Sequence, residues 1–156
     1  MTLHFHPYDS VFVASVRAGG PDDCGNPAEH AVSDGGGNPC RHCLRHIPKG
    51  APMLILAARP FPAPQTYTET GPIFLCADSC APWSGTGVPE ILTTAPDYLL
   101  KGYGADHRIV YGTGKVVPAD QLPAYAARLL QAPRIAYVDV RSSRNNCFQA
   151  RITERP

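Results

Sequence analysis

Four cysteines in the sequence stand in two closely spaced pairs that could bind one metal ion. The stretch NPCRHCLRHIP contains Cys40 and Cys43, and the stretch CADSC contains Cys76 and Cys80. Structural zinc takes four tetrahedral ligands, and Cys thiolates are among its usual ones. A two-residue spacer lets one turn of backbone direct both sulfurs at one ion. The spacing therefore predicts one zinc ion per chain, bound by these four cysteines.

The charges around the first pair favour this interpretation. Four thiolates on a divalent ion leave a net charge of about −2, which nearby cations can offset while they lower the thiol pKa values. Arg41, Arg45 and Lys49 are placed to do so. Two features depart from a common zinc knuckle. Leu44 stands where such knuckles carry glycine, and the second pair has three intervening residues instead of two.

Two histidines beside the first pair give an alternative ligand set. His42 or His46 could replace a cysteine, and a site of Cys40, Cys43 and His46 would leave one coordination position open. An open position is typical of catalytic zinc. Histidines in such places also serve as donors to the metal ligands or lie in solvent.

Two further alternatives do not involve a metal. CRHC has the spacing of a thioredoxin-type redox centre, but such centres open a helix after a buried strand, and the preceding DGGGNP cannot form that strand. The second alternative is that the cysteines are inert, since Cys76 lies in the apolar run IFLCA and free cysteine is often a small buried hydrophobe.

A second group of reactive side chains lies near the C-terminus. Arg141, Arg144 and Arg151 flank one predicted turn and could form an anion site for a carboxylate or phosphate. Cys147 is a candidate nucleophile in this group. A second catalytic candidate, His46, lies outside it, beside the first cysteine pair. The local sequence offers Cys147 no base, however, which favours a buried core thiol. Asp139 and Arg141 share a strand face and could equally form a solvated ion pair.

Composition limits what these groups can belong to. The chain has 156 residues, enough for one domain with a substantial core, and a net charge of +1. This charge makes nucleic acid an unsuitable partner. No apolar run approaches the roughly 20 residues of a membrane span, and the N-terminus lacks a signal-peptide pattern. We therefore expect a cytoplasmic protein, in which spaced cysteines indicate metal or redox chemistry.

The periodicity predicts an α+β fold that is mainly antiparallel. A long loop is expected over 19–39, rich in turn formers. Short apolar strands are expected at MLILAARPF and IFLCA, and VFVASVRA fits either a strand or a helix. A hairpin is predicted for RIVYGTGKVV. The one clear helix is predicted for PADQLPAYAARLLQA. A closing hairpin around residues 143–146 is predicted from the two arms IAYVDVRS and CFQARIT.

Several of these stretches together resemble a bacterial family of unknown function, the domain-of-unknown-function family 1203. They are NPCRHCLRHIPKGAPMLIL, ETGPIFLCADSC, RIVYGTG and AYVDVRSSRNNCFQARITER, and the likeness covers about residues 33–155. The resemblance implies a fold and no established activity. In that family the position of Cys76 often holds His, which is also a zinc ligand.

These observations favour a zinc-binding domain whose metal is structural and pins the long loop onto the sheet. The alternatives are a small metal- or thiol-dependent enzyme acting on an anionic small molecule, and a CxxC redox protein. The sequence contains no nucleophile elbow, phosphate-binding loop or HExxH helix, which lowers the expectation of an enzyme.

Overall fold

The computed structural model describes residues 1–156 and contains eight strands and two α-helices. The strands are β1 (Leu3–His6), β2 (Glu29–Val32), β3 (Pro52–Ala58), β4 (Gly71–Cys76), β5 (Asp97–Tyr103), β6 (Lys115–Pro118), β7 (Tyr137–Ser142) and β8 (Phe148–Glu154). The helices are α1 (Ser10–Arg17) and α2 (Leu122–Leu130), and two short 3-10 turns lie at Glu90–Leu92 and Ala119–Gln121.

Five strands form the larger sheet, in the order β1-β8-β7-β5-β6, and all neighbours are antiparallel. The central strand β7 is buried along nearly its whole length, because its neighbours β5 and β8 flank it on both edges. Helix α2 packs on this sheet through Leu122, Tyr125 and Ala126, which recur at the helical period.

Three strands form the smaller sheet, in the antiparallel order β2-β3-β4. Its core contains apolar side chains of β3 and β4 together with Val13 and Val16 of α1 and with Cys40. The Asp9 carboxylate accepts a hydrogen bond from the Phe12 N–H at 3.1 Å and so caps α1. This cap selects the helix over the strand for VFVASVRA.

The predicted fold class is confirmed: the fold is α+β, mainly antiparallel, with a helix in the C-terminal half. The predicted helix and the closing hairpin β7–β8 are both present. The long stretch over 19–39 is mostly turns, but it also contains β2, whose residues pair with β3.

The predicted hairpin over 108–117 is wrong in its first arm. β6 pairs with β5, which precedes that arm, and the connection between β5 and β6 is a long loop. The loop folds back on the sheet through Thr113, whose Oγ1 accepts the Gly102 N–H at 2.9 Å and donates to the Val110 carbonyl at 2.6 Å. The arm's β-branched residues fill this loop instead of forming a strand.

Neither α1 nor α2 could cross a bilayer, since no helix of the structure is both long enough and apolar enough.

Candidate metal centre

The two cysteine pairs meet at one edge of the smaller sheet. Cys40 forms a bridge with Phe74 of β4, and this bridge places the loop with Cys40 and Cys43 beside the end of β4. Cys76 is the last residue of that strand, and Cys80 follows in the next turn. The four Sγ atoms all lie within 4.8 Å of one another. Cys40 is completely buried, and the other three are half-buried.

The first pair has the backbone turn of a zinc knuckle although it lacks the glycine. Leu44 adopts the left-handed conformation, with φ of 56°. Its N–H donates to the Cys40 carbonyl at 2.9 Å, and the Cys40 N–H donates to the Arg45 carbonyl at the same distance. The Leu44 side chain is fully buried in the core of the larger sheet, which offsets the cost of the left-handed backbone. The turn at this position therefore forms without glycine.

Two basic side chains contact the sulfurs, Arg17 from helix α1 and His42 from within the first cysteine motif. Arg17 of α1 donates from Nη2 to the Cys80 Sγ at 3.0 Å and from Nε to the Cys76 carbonyl at 3.0 Å. His42 lies with Nδ1 at 3.3 Å from the Cys80 Sγ, and its Nε2 is 2.9 Å from the Ser10 hydroxyl. If the hydroxyl donates to Nε2, Nδ1 carries the proton and donates to sulfur. In that tautomer His42 is a donor to a candidate metal ligand.

The basic residues named from the sequence are placed differently. Arg45 and Lys49 are exposed. Arg41 is buried and donates to the carbonyls of Phe148 at 2.8 Å and Pro39 at 2.6 Å, so its donors are used by the backbone and form no hydrogen bond with the sulfurs. Burial lowers the pKa of Arg41 to about 10, while the nearby thiols Cys147 and Cys40 oppose this shift. Arg17 was missed because its contact with Cys80 depends on how α1 docks.

The thiols share their protons unequally. Hydrogen bonds from the Cys43 and Cys76 side chains lower the pKa of Cys40 strongly, so Cys40 is the preferred thiolate. The Cys40 Sγ also accepts a hydrogen bond from the backbone N–H of Cys76 at 3.3 Å. The same hydrogen bonds to Cys40 raise the pKa of Cys43 to about 12 and raise that of Cys76. A bound cation would displace the shared protons and favour four thiolates.

Neither His42 nor His46 is a member of the four-residue cluster. The His46 Nε2 lies 2.8 Å from the Thr94 hydroxyl, and its backbone N–H donates to Glu90 at 2.9 Å. The alternative ligand set with His46 therefore finds no geometric support. No helix begins at CRHC either, so the arrangement differs from a thioredoxin-type centre.

The three C-terminal arginines each bind a different carboxylate. Their partners are Glu69 for Arg141, at 3.1 Å, Asp97 for Arg144, at 3.1 Å, and Asp139 for Arg151, at 2.7 Å. The strand register places Arg151 opposite Asp139 and Arg141 opposite Phe148, because a bulge lies between Val140 and Arg141. The structure thus does not gather the three arginines around one anion.

Two expectations for this hairpin are wrong. Asp139 is 0 % exposed and Arg141 is 4 % exposed, so they are not a solvated pair. β7 is central in the sheet and both of its faces are covered. Cys147 is also not a core thiol: it is half-buried, and its Sγ faces the Asn145 carbonyl at 3.7 Å. No basic side chain hydrogen-bonds to that thiol, so its role as a nucleophile gains no support.

Comparison with known proteins gives one match. A family model described as "Protein of unknown function (DUF1203)" matches residues 37–154. This range contains all four cysteines of the cluster and agrees closely with the range of the resemblance seen in the sequence. No curated protein and no solved structure matches the chain.

Proposed function

The chain belongs to the family described as Protein of unknown function (DUF1203), and we propose that it is a zinc-binding domain whose metal is structural. The proposed ligands are Cys40, Cys43, Cys76 and Cys80. The family description names no activity, so the proposal depends on the geometry of these residues alone.

One observation carries it, the clustering of four Sγ atoms within 4.8 Å. Zinc–sulfur bonds of about 2.3 Å in a tetrahedron require sulfurs about 3.8 Å apart. The Sγ atoms of Cys40 and Cys80 lie 3.9 Å apart. Soft thiolate ligands favour zinc over magnesium or calcium, which prefer oxygen.

The chemistry of the ligand set supports a structural role. Four thiolates fill a tetrahedral shell, so no position remains for a water or a substrate. The sulfurs also connect the Cys40–Cys43 loop, the end of β4 and, through Arg17, helix α1. A metal here would hold together elements that share the small core around Val13 and Leu75.

Elemental analysis tests the proposal. Protein purified without chelators is expected to contain about one zinc per chain, and Cys43→Ser is expected to lose it. Cys24→Ser is the matched control, because Cys24 is exposed and lies outside the cluster. Metal-free wild-type protein, or full zinc in Cys43→Ser, would overturn the proposal. Equal loss in Cys24→Ser would also contradict it.

A further inference from the structure

A second site lies between β1 and β8 of the larger sheet, the start of α1 and the segment that follows β3, and no cysteine lines it. It is a cavity of about 460 Å³, within the usual range of small-molecule pockets. Four aromatic side chains form its apolar part, and two guanidinium groups also line it. These residues are Tyr8, Phe12, Phe61, Phe148, Arg59 and Arg151.

Arg59 is the first group that lacks a partner. Its side chain forms no hydrogen bond and no salt bridge with the protein, and its Nε atom is fully buried. A buried N–H without an acceptor is costly, and native proteins rarely leave one unpaired. The backbone of Arg59 is fixed by a hydrogen bond from its N–H to Asp23 at 2.6 Å. This hydrogen bond fixes the point from which the unpaired side chain extends along the cavity wall.

Arg151 is the second group with free donors. Its Nε and Nη2 bind Asp139, and Nη2 also donates to the Pro60 carbonyl at 2.7 Å. Nη1 has no partner in the protein. The guanidinium lies 3.7 Å from the centre of the Tyr137 ring, which fixes its plane. A carboxylate is the ligand group that suits such free, oriented donors.

The other polar side chains of the cavity wall form no hydrogen bond with the free donors of the two guanidinium groups. Asp9 and Asp23 accept hydrogen bonds from the backbone N–H groups of Phe12 and Arg59, and neither forms a salt bridge with an arginine. The pKa of His6 is lowered to about 4, first by burial and then by His4 and Arg151. His6 is therefore neutral at pH 7, and the two arginines are the cationic side chains of the cavity wall.

The aromatic side chains define the rest of the ligand. Tyr8 packs against Phe12 at a ring distance of 5.3 Å and against Phe148 at 6.1 Å. Faces and edges of such rings accept a flat unsaturated ring in offset or edge contact. An aliphatic carboxylate would satisfy the arginines but would leave this surface unused.

We propose that this cavity binds a small aromatic carboxylate, with its carboxylate on Arg59 and Arg151 and its ring against Tyr8, Phe12 and Phe148. The proposal goes beyond the metal site and does not depend on it. The anion site expected from Arg141, Arg144 and Arg151 is thereby replaced by one that uses Arg151 with Arg59.

Fluorescence titration with 2-naphthoate tests the site in the full, metal-loaded chain. We expect saturable binding, and weaker binding of the neutral isostere 2-naphthamide by about tenfold or more, because a charge-assisted contact is lost. Acetate should bind more weakly than 2-naphthoate. Equal affinity for 2-naphthoate and 2-naphthamide, or no saturable binding of 2-naphthoate, would overturn the proposal.

Two variants locate the carboxylate. Arg59→Gln is expected to weaken 2-naphthoate about tenfold or more while leaving 2-naphthamide unchanged. Arg144→Gln is the matched control, since Arg144 is exposed and does not line the cavity. Arg59→Lys keeps the charge and is expected to retain part of the affinity. If Arg59→Gln fails to fold, the affinity of Arg59→Lys and the comparison of 2-naphthoate with 2-naphthamide still test whether a carboxylate binds at Arg59. Unchanged 2-naphthoate binding in Arg59→Gln would count against the site.

Discussion

The guanidinium of Arg17 donates to the Sγ of Cys80 at 3.0 Å, across the interval between α1 and the turn that follows β4. The same side chain holds the Cys76 carbonyl at 3.0 Å. One arginine thus contacts both members of the second cysteine pair. Its positive charge lies where four thiolates on zinc would leave a net negative charge.

The first prediction concerns this arginine. Arg17→Gln removes the charge and the hydrogen bond to sulfur, and we expect zinc affinity to fall about tenfold or more, as is usual for donors to metal ligands. Competition with a chromophoric chelator measures the affinity. Arg45→Gln is the control, since Arg45 is exposed. Equal affinities in both variants would show that Arg17 does not support the site.

The second prediction concerns stability. Removal of zinc by a chelator should lower the melting temperature, since a ligand of the native state stabilises it by about 4 kcal/mol at a thousandfold excess over its dissociation constant. Cys43→Ser should show the same loss, and Cys24→Ser should melt like the wild type. A metal-free chain that melts unchanged would mean that the metal is peripheral to the core.

The third prediction separates packing from backbone strain at Leu44. Leu44→Ala removes a fully buried side chain and should cost about 2–5 kcal/mol. Leu44→Gly removes the same packing but relieves the left-handed backbone, where φ is 56°. We therefore expect Leu44→Gly to be about 1 kcal/mol more stable than Leu44→Ala. Urea unfolding gives both values, and the reverse order would contradict the strain at this turn.

The sequence predicted the elements that local patterns determine. Leu122, Tyr125 and Ala126 recur at the helical period, and α2 is present. The cysteine spacing predicted a four-thiol cluster, and the four sulfurs do converge. The helix depends on residues that are close in sequence. The cluster depends on paired cysteines, a residue type that has few alternative roles at this spacing.

Features that depend on distant contacts were not predictable. β5, DYLLKGY, has no β-branched residue, and its place between β6 and β7 comes from pairing with them. The contact of Arg17 with Cys80 depends on the docking of α1, and the cavity depends on how α1 and the segment after β3 pack beside β1 and β8. Asp139 appeared suited to solvent, but its burial follows from the central position of β7.

The fourth prediction concerns pH. The pKa of His6 is lowered from 6.5 to about 4 by burial, His4 and Arg151. As pH falls from 6.5 toward 4, the unfolded chain takes up a proton that the folded chain does not, so stability falls. His6→Gln should weaken this dependence, and His30→Gln, at an exposed position, should not. Urea midpoints at about pH 7.5 and about pH 5 measure it. A dependence unchanged in His6→Gln would exclude His6 as its source.

The last prediction joins the two proposed sites. Arg41 lies between the cysteines of the first pair, and its backbone carbonyl accepts the Tyr8 N–H at 2.8 Å. Its Nε donates to the Phe148 carbonyl at 2.8 Å. Tyr8 and Phe148 both line the cavity, so zinc at Cys40 and Cys43 should fix their positions.

We expect metal removal to weaken 2-naphthoate binding several-fold. Linkage then requires that 2-naphthoate raise zinc affinity by the same factor. Titrating each ligand with and without the other measures both factors, and a factor of one in either direction would mean that the sites are independent.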